Sequence, residues 1–251
     1  MSASTGLAVR SLRNIRRLPS AFLPALLMPV FQVVSFSGTY AGITAIPGFP
    51  TDRSVNWYLP MAVTMGASFA GLGTGFSMIR DLQTGFYDRI RMAPASRRDI
   101  LLGPYLAAWT RAVIAVVLVT VVGFALGARP EGNPAAVLSL FVAGIGVATI
   151  GTGWGLGLAY RFKDMRAAAI MQLTLFLGLF LTDAQTPIDI MTGWLQTVAT
   201  WNPLTRVLHV ARLGFVEGGS IGDLVLGLIV MIVLGSLAWL FAFTGLRRLD
   251  D

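Results

Sequence analysis

Apolar and polar residues alternate along this chain in long blocks. Six apolar stretches fall at about 21–43, 57–79, 101–126, 135–158, 167–182 and 221–243, and short polar segments separate them. Each is read as a helix that crosses the bilayer. The period is 3.6 rather than 2, and no Asn-Gly or Asp-Gly hairpin signal punctuates the chain. The expected fold is an all-α integral membrane protein with six transmembrane helices, forming a single transmembrane domain over 1–251.

The polar segments differ in kind. In residues 1–19, Ala8, Leu12 and Ile15 share one helical face while Arg10, Arg13 and Arg17 share the other. This predicts an amphipathic helix lying in the membrane interface, not a cleavable signal peptide. Residues 80–98 (RDLQTGFYDRIRMAPASRR) are the longest strongly polar interruption. Within them, Phe86, Tyr87 and Ile90 fit one face of a short helix that Pro94 stops. That helix suits docking onto a soluble partner. The alternative is a solvated loop whose arginines only set topology. Residues 183–220 hold two short helical runs around Asn202-Pro203, with Met191, Trp194, Leu195 and Val198 at helical spacing and Trp201 closing the first. Neither run spans a membrane, so an interfacial or re-entrant hairpin is expected.

Charge orients the pattern. Of 251 residues 55% are hydrophobic and only 12% charged, and the formal net charge is +7. Arg10, Arg13, Arg16, Arg17, the five arginines of 80–98, Arg161, Lys163, Arg166, Arg247 and Arg248 fall on one side of a six-span topology. The other side carries Arg53, Arg129, Arg206 and Arg212, outnumbered by Asp52, Glu131, Asp183, Asp189, Glu217 and Asp223. By the positive-inside rule both termini and the 80–98 loop are cytoplasmic. The arginines form no continuous basic face, which argues against nucleic acid.

The chemistry available is sparse. Cysteine is absent and there is one histidine, His209, so thiolate sites and paired-histidine zinc sites are excluded. The one lysine, Lys163, follows Tyr-Arg-Phe, not a phosphate-cradling glycine loop. The run GTGWGLG at 151–157 lies inside an apolar stretch, where Gly151/Gly155 and Gly153/Gly157 fit close helix packing. Arg111 falls within the third stretch and is expected to snorkel to the cytoplasmic surface if that span starts late, a buried functional charge being the alternative, and Asp183 is expected to be a solvated helix end rather than an ion site.

Two segments together carry a family resemblance. Gly85-Phe86-Tyr87-Asp88-Arg89-Ile90-Arg91-Met92-Ala93-Pro94, followed by Ser96-Arg97 and Ile100-Leu101-Leu102-Gly103, resembles the cytoplasmic loop of type-2 ABC exporter permeases. Pro104 stands where that family more often has a basic residue. Pro187 to Arg212, with Met191, Gly193-Trp194-Leu195-Gln196 and Trp201-Asn202-Pro203, is similar to the family's outer helical hairpin. The match is best to the daunorubicin/doxorubicin-resistance branch.

The resemblance implies a bacterial inner-membrane transport subunit without its own motor, moving hydrophobic cargo such as a drug, antibiotic or lipid outward. Two copies of a separate ATP-binding subunit would hold the ATP and magnesium, leaving no cofactor in this chain. They would dock on Gly85, Phe86, Tyr87, Asp88, Arg89, Ile90 and Arg91. A second permease chain, identical or paralogous, would meet this one along its first and fifth spans. Export of a lipid-linked glycan and a non-transporting membrane scaffold remain as alternatives.

Overall fold

The computed structural model describes residues 5–6, 8–10, 13, 19–92, 96–131 and 135–250, with the side chains of 19–25, Arg91, Arg97 and Asp250 left out. The amphipathic helix expected over 1–19 falls mostly outside these residues. The helices are α1 (Pro19–Thr39), α2 (Ser54–Gln83), α3 (Phe86–Arg91), α4 (Arg97–Ala125), α5 (Ala136–Phe162), α6 (Met165–Phe180), α7 (Trp194–Trp201), α8 (Pro203–Arg212) and α9 (Ile221–Asp250). Short 3-10 turns lie at Ala41–Ala45 and Ile188–Ile190. No strand occurs among the described residues.

Among the described residues four helices, α2, α4, α5 and α9, are long and apolar enough to cross a membrane. Apolar segments Leu26–Thr39 of α1 and Met165–Phe180 of α6 are shorter. Helices suit this setting because every backbone group is satisfied within the segment. Several polar residues inside them are satisfied locally: Thr64 and Ser68 bond carbonyls three or four residues back, and so do Thr74 and Thr152. The ends are marked by side chains. Ser96 and Asp99 form a reciprocal capping box on α4, and Asp164 caps α6. α4 therefore starts at Arg97, and Pro104 is accommodated inside it.

α2 is the hub and packs against α1, α4 and α5. α5 carries α9 on another face, and α8 wedges against both α5 and α9. Glycines set how closely these helices approach. Gly151 and Gly155 of α5 lie on Gly71 and Gly75 of α2, while Gly153 and Gly157 lie on Ala238 and Phe241 of α9. The run 151–157 thus packs two seams, as its spacing predicts. A Cβ on Gly75 would stand 2.8 Å from the Gly155 carbonyl, and backbone cannot swing away as a side chain can. Gly75→Ala is therefore expected to cost about 1–3 kcal/mol. Gly42, with nothing within 4 Å of a built Cβ, should accept alanine within about 0.5 kcal/mol. Thermal unfolding of the two purified variants in detergent compares them, and equal melting temperatures would refute the seam.

Candidate functional site

Three polar constellations interrupt the apolar bundle, one at each end and one in the middle. The basic end is built around α3. Gly85 precedes it with φ +69°, a left-handed conformation that costs glycine little, and this turns the chain sharply out of α2. A six-residue helix cannot hold itself together, so its position comes from packing. Tyr87 is 2% exposed, with its ring 6.5 Å from that of Tyr160 on α5. Ile90 packs on the same cluster, which includes Ile79, Ile100, Leu101 and Leu246. The side chain of Phe86 is half-buried, and the Arg10 guanidinium lies 3.5 Å over its ring. Arg10 also forms two hydrogen bonds, at 2.8 and 2.7 Å, with the Asp81 carboxylate at the end of α2.

This differs from the expected presentation of Phe86, Tyr87 and Ile90 to a partner. Tyr87 and Ile90 face the chain's own body, because a helix this short needs them there. Asp88, Arg89 and Met92 are what α3 exposes, Met92 at 81%. Beside α3, a recess of about 230 Å³ is lined by Leu82, Gln83, Tyr87, Asp88, Lys163 and Leu249.

At the acidic end, α8 packs against α2, α5 and α9, and α7 lies against α8 and the Ile188–Ile190 turn. Asn202 joins them: its carbonyl caps α8 through Leu204 N–H at 2.9 Å, and its amide donates to the carbonyls of Gly178 and Leu181, both at 2.9 Å. Pro203 takes the first position of α8, where its missing N–H costs nothing. Trp194 and Trp201 are exposed, at 71% and 83%, while Leu195 and Met191 are half-buried. Beneath the hairpin, Arg212 donates to Asp183 Oδ2 at 2.6 Å and to the backbone carbonyls of Asp183 and Ala184 at 2.9 and 3.2 Å. Its guanidinium stacks 3.5 Å over Trp57. His209 Nε2 lies 2.9 Å from the same Asp183 oxygen.

Asp183 is therefore not the solvated helix end expected from sequence. It is 2% exposed, and the pairing with Arg212 makes that burial tolerable. Burial raises its pKa, but the Arg212 charge and the His209 contacts outweigh this and hold the carboxyl below its ordinary 3.8. A second buried group, Asn56, ties the start of α2 to the loop after α4. Its amide donates to the Arg129 carbonyl at 2.9 Å and to Glu131 Oε1 at 2.7 Å. Sequence reasoning missed both groups. The available signal was the excess of polar residues flanking 44–56, 127–134 and 183–220, which gives no pairing.

Arg111 forms the third constellation and corrects the snorkelling expectation. It lies mid-way along α4 and is 5% exposed. Its Nε donates to the Ala107 carbonyl at 3.2 Å, and Nη2 is buried with no acceptor. α4 begins at Arg97, so Arg111 lies more than three turns inside the helix, and its side chain is buried against the bundle rather than extended to solvent.

No group of three or more His, Cys, Asp or Glu that could hold a metal occurs among the described residues. Fold and site together define a polytopic helical membrane protein with a loop helix fixed to its basic end and a buttressed hairpin at its acidic end.

Comparison with known proteins names the family. The ABC-2 type transporter family matches residues 5–216, and the chain belongs to it. The daunorubicin resistance ABC transporter permease protein DrrB1 of Streptomyces coeruleorubidus is 24% identical over 233 residues, covering 91% of this chain and 80% of that protein. The putative transport permease ycf38 of Porphyra purpurea is 26% identical over 244 residues, covering 91% of this chain and 82% of that one. The chain is thus a type-2 ABC permease of the DrrB-like kind, a membrane subunit of an ABC exporter.

Proposed function

We propose that this chain is the membrane half of an exporter that moves hydrophobic cargo outward. A separate ATP-binding subunit, present in two copies and holding ATP and magnesium, supplies the work. α1 and α6 complete a six-span topology with both termini in the bacterial cytoplasm. A second permease, identical or paralogous, stands against α1 and α6, whose Phe31, Leu173 and Leu177 are exposed on this chain.

The observation that carries this reading is the attachment of α3. It sits at the joint of α2 and α4, it is wedged by Tyr87 and Ile90 into the cluster that holds α5 and α9, and Arg10 clamps it to α2. A push on α3 therefore moves the long helices with it. Asp88, Arg89 and Met92 face the ATPase, with Phe86 at the rim. Gly85 and Arg91 complete the docking segment. The hairpin residues Met191, Trp194, Leu195, Trp201, Asn202 and Pro203 lie at the outer membrane surface, Trp194 and Trp201 in the headgroup layer.

The test is co-purification with a P-loop ATPase encoded beside the gene. Met92→Asp is expected to weaken ATPase binding by about 1–3 kcal/mol, because it puts a charge at an apolar contact. Arg89→Ala is expected to cost about 0.2–1 kcal/mol, shrinking further in high salt. A permease that captures no ATPase under any nucleotide condition would refute the exporter reading.

A further inference from the structure

We propose that Arg111 is a binding site for the anionic headgroup of an amphiphile inside the membrane. This deepens the export reading and rests on it. Arg111 stands about 17 Å along α4 from Ile100 and about 21 Å from Ala125, close to the midplane of a hydrocarbon core about 30 Å thick. A cation at that depth is costly without a counter-charge. A guanidinium also has five N–H donors to place, and the single hydrogen bond to Ala107 serves one.

The described residues offer no counter-charge at this level. Arg111 has no ion pair with a described carboxylate, and the acids sit at the two ends: Asp81, Asp88, Asp99 and Asp164 at one, Asp183 and its neighbours at the other. A second identical copy in the same orientation carries its acids at the same two levels, so it cannot supply one either. In a homodimer the missing anion therefore comes from outside the protein.

The structure also leaves an approach to it. α2 is buried on all sides through its first half, from Val55 to Ser68. It then opens along Phe69, Gly73, Phe76 and Ser77, which are half-buried or exposed. Gly73 is the gap in that strip: a Cβ built there would stand 3.6 Å from Arg111 Nη1. A guanidinium thus lies directly beneath a narrow apolar strip bordered by two phenylalanines. That pairing fits a phosphate, sulfonate or carboxylate carried on an alkyl or aromatic tail. The occupant is either a bilayer phospholipid drawn into the seam or the cargo itself, and both present the same chemistry.

Binding of radiolabelled hexadecyl phosphate to the full-length permease in neutral detergent tests this, with hexadecyltrimethylammonium as the cationic counterpart. Wild type should bind the phosphate saturably and prefer it to the ammonium. Arg111→Gln should weaken phosphate binding by about tenfold or more, and Arg111→Lys by less, since one point charge remains. Gly73→Leu keeps the charge but fills the gap, and should lose binding while melting as wild type does. It decides the matter should Arg111→Gln fail to fold. In nanodiscs of phosphatidylglycerol, loss of probe binding to wild type assigns the site to bilayer lipid. Retained binding there, with ATP-dependent uptake of the probe by inverted vesicles that carry the permease and its ATPase, assigns it to cargo.

Equal phosphate binding by wild type, Arg111→Gln and Gly73→Leu would overturn the proposal, as would a preference for the ammonium. Because the binding measurement contains no ATPase, a permease that captures its ATPase yet fails to bind the probe loses this inference alone.

Discussion

Asp183→Ala is expected to destabilise the permease by about 3–5 kcal/mol, the cost of leaving a buried guanidinium without its partner. Arg212→Ala should cost a similar amount for the reciprocal reason. The pair is held at 2.6 Å, both side chains are 3% exposed, and Arg212 is further fixed by two backbone carbonyls and the Trp57 ring. Removing both charges tells pairing from packing. Asp183→Leu with Arg212→Met should lie much nearer wild type than either alanine variant, because apolar replacements of similar volume remove both desolvation penalties together.

Acid should reproduce part of the single-mutant defect. The folded pKa of Asp183 is depressed below 3.8, so in acid the unfolded chain takes the proton first. The stabilisation is full above that ordinary value and is lost as pH falls through it towards the lower folded value. Thermal unfolding in detergent, followed by tryptophan fluorescence, measures all of this. A loss below about 1 kcal/mol for Asp183→Ala would show the pair to be incidental.

The sequence carried some parts of this architecture and hid others, for separable reasons. Apolar blocks and their flanking charges are local signals, so the helical membrane class and its basic and acidic ends could be read directly. The glycine seam could be read as well, because Gly151, Gly153, Gly155 and Gly157 fall at intervals that only close helix contact explains. Arg212 and Asp183 are separated by two short helices and a turn, and each alone resembles an ordinary surface charge. Nothing in their spacing announces that α8 folds back to bring them together. Tyr87 failed differently. Its helical face was evident, but which way the face turned depended on whether α3 could stand free of the bundle, and six residues cannot. Arg111 was misjudged because snorkelling depends on which way the side chain turns, and here packing buries it mid-way along α4 with its Nε on the Ala107 carbonyl.

Tyr87→Ala is expected to have the largest effect on transport for the least effect on the rest of the fold. Its ring is buried in the cluster shared by α4, α5 and α9, and truncating a buried aromatic there costs about 3–5 kcal/mol. That loss falls chiefly on α3, since the long helices keep their glycine seams and their other contacts. With Tyr87 gone, α3 is held by Ile90 and by the Arg10 clamp on Phe86, and a cation over an aromatic ring contributes only about 0.5–1 kcal/mol at a partly exposed site. The attachment should then open locally while the bundle remains folded. Hydrogen exchange at residues 84–92 should rise by orders of magnitude, with the centres of α2 and α5 still protected. ATPase capture should weaken only modestly, because Asp88, Arg89 and Met92 remain, but transport should be lost because motion of the ATPase no longer reaches α2 and α4. Phe86→Ala should give the milder form of the same defect, in line with the smaller energy of the contact it removes. Full transport by Tyr87→Ala with raised exchange at 84–92 would show that α3 carries no force. Unchanged exchange would show that Tyr87 is not what fixes it.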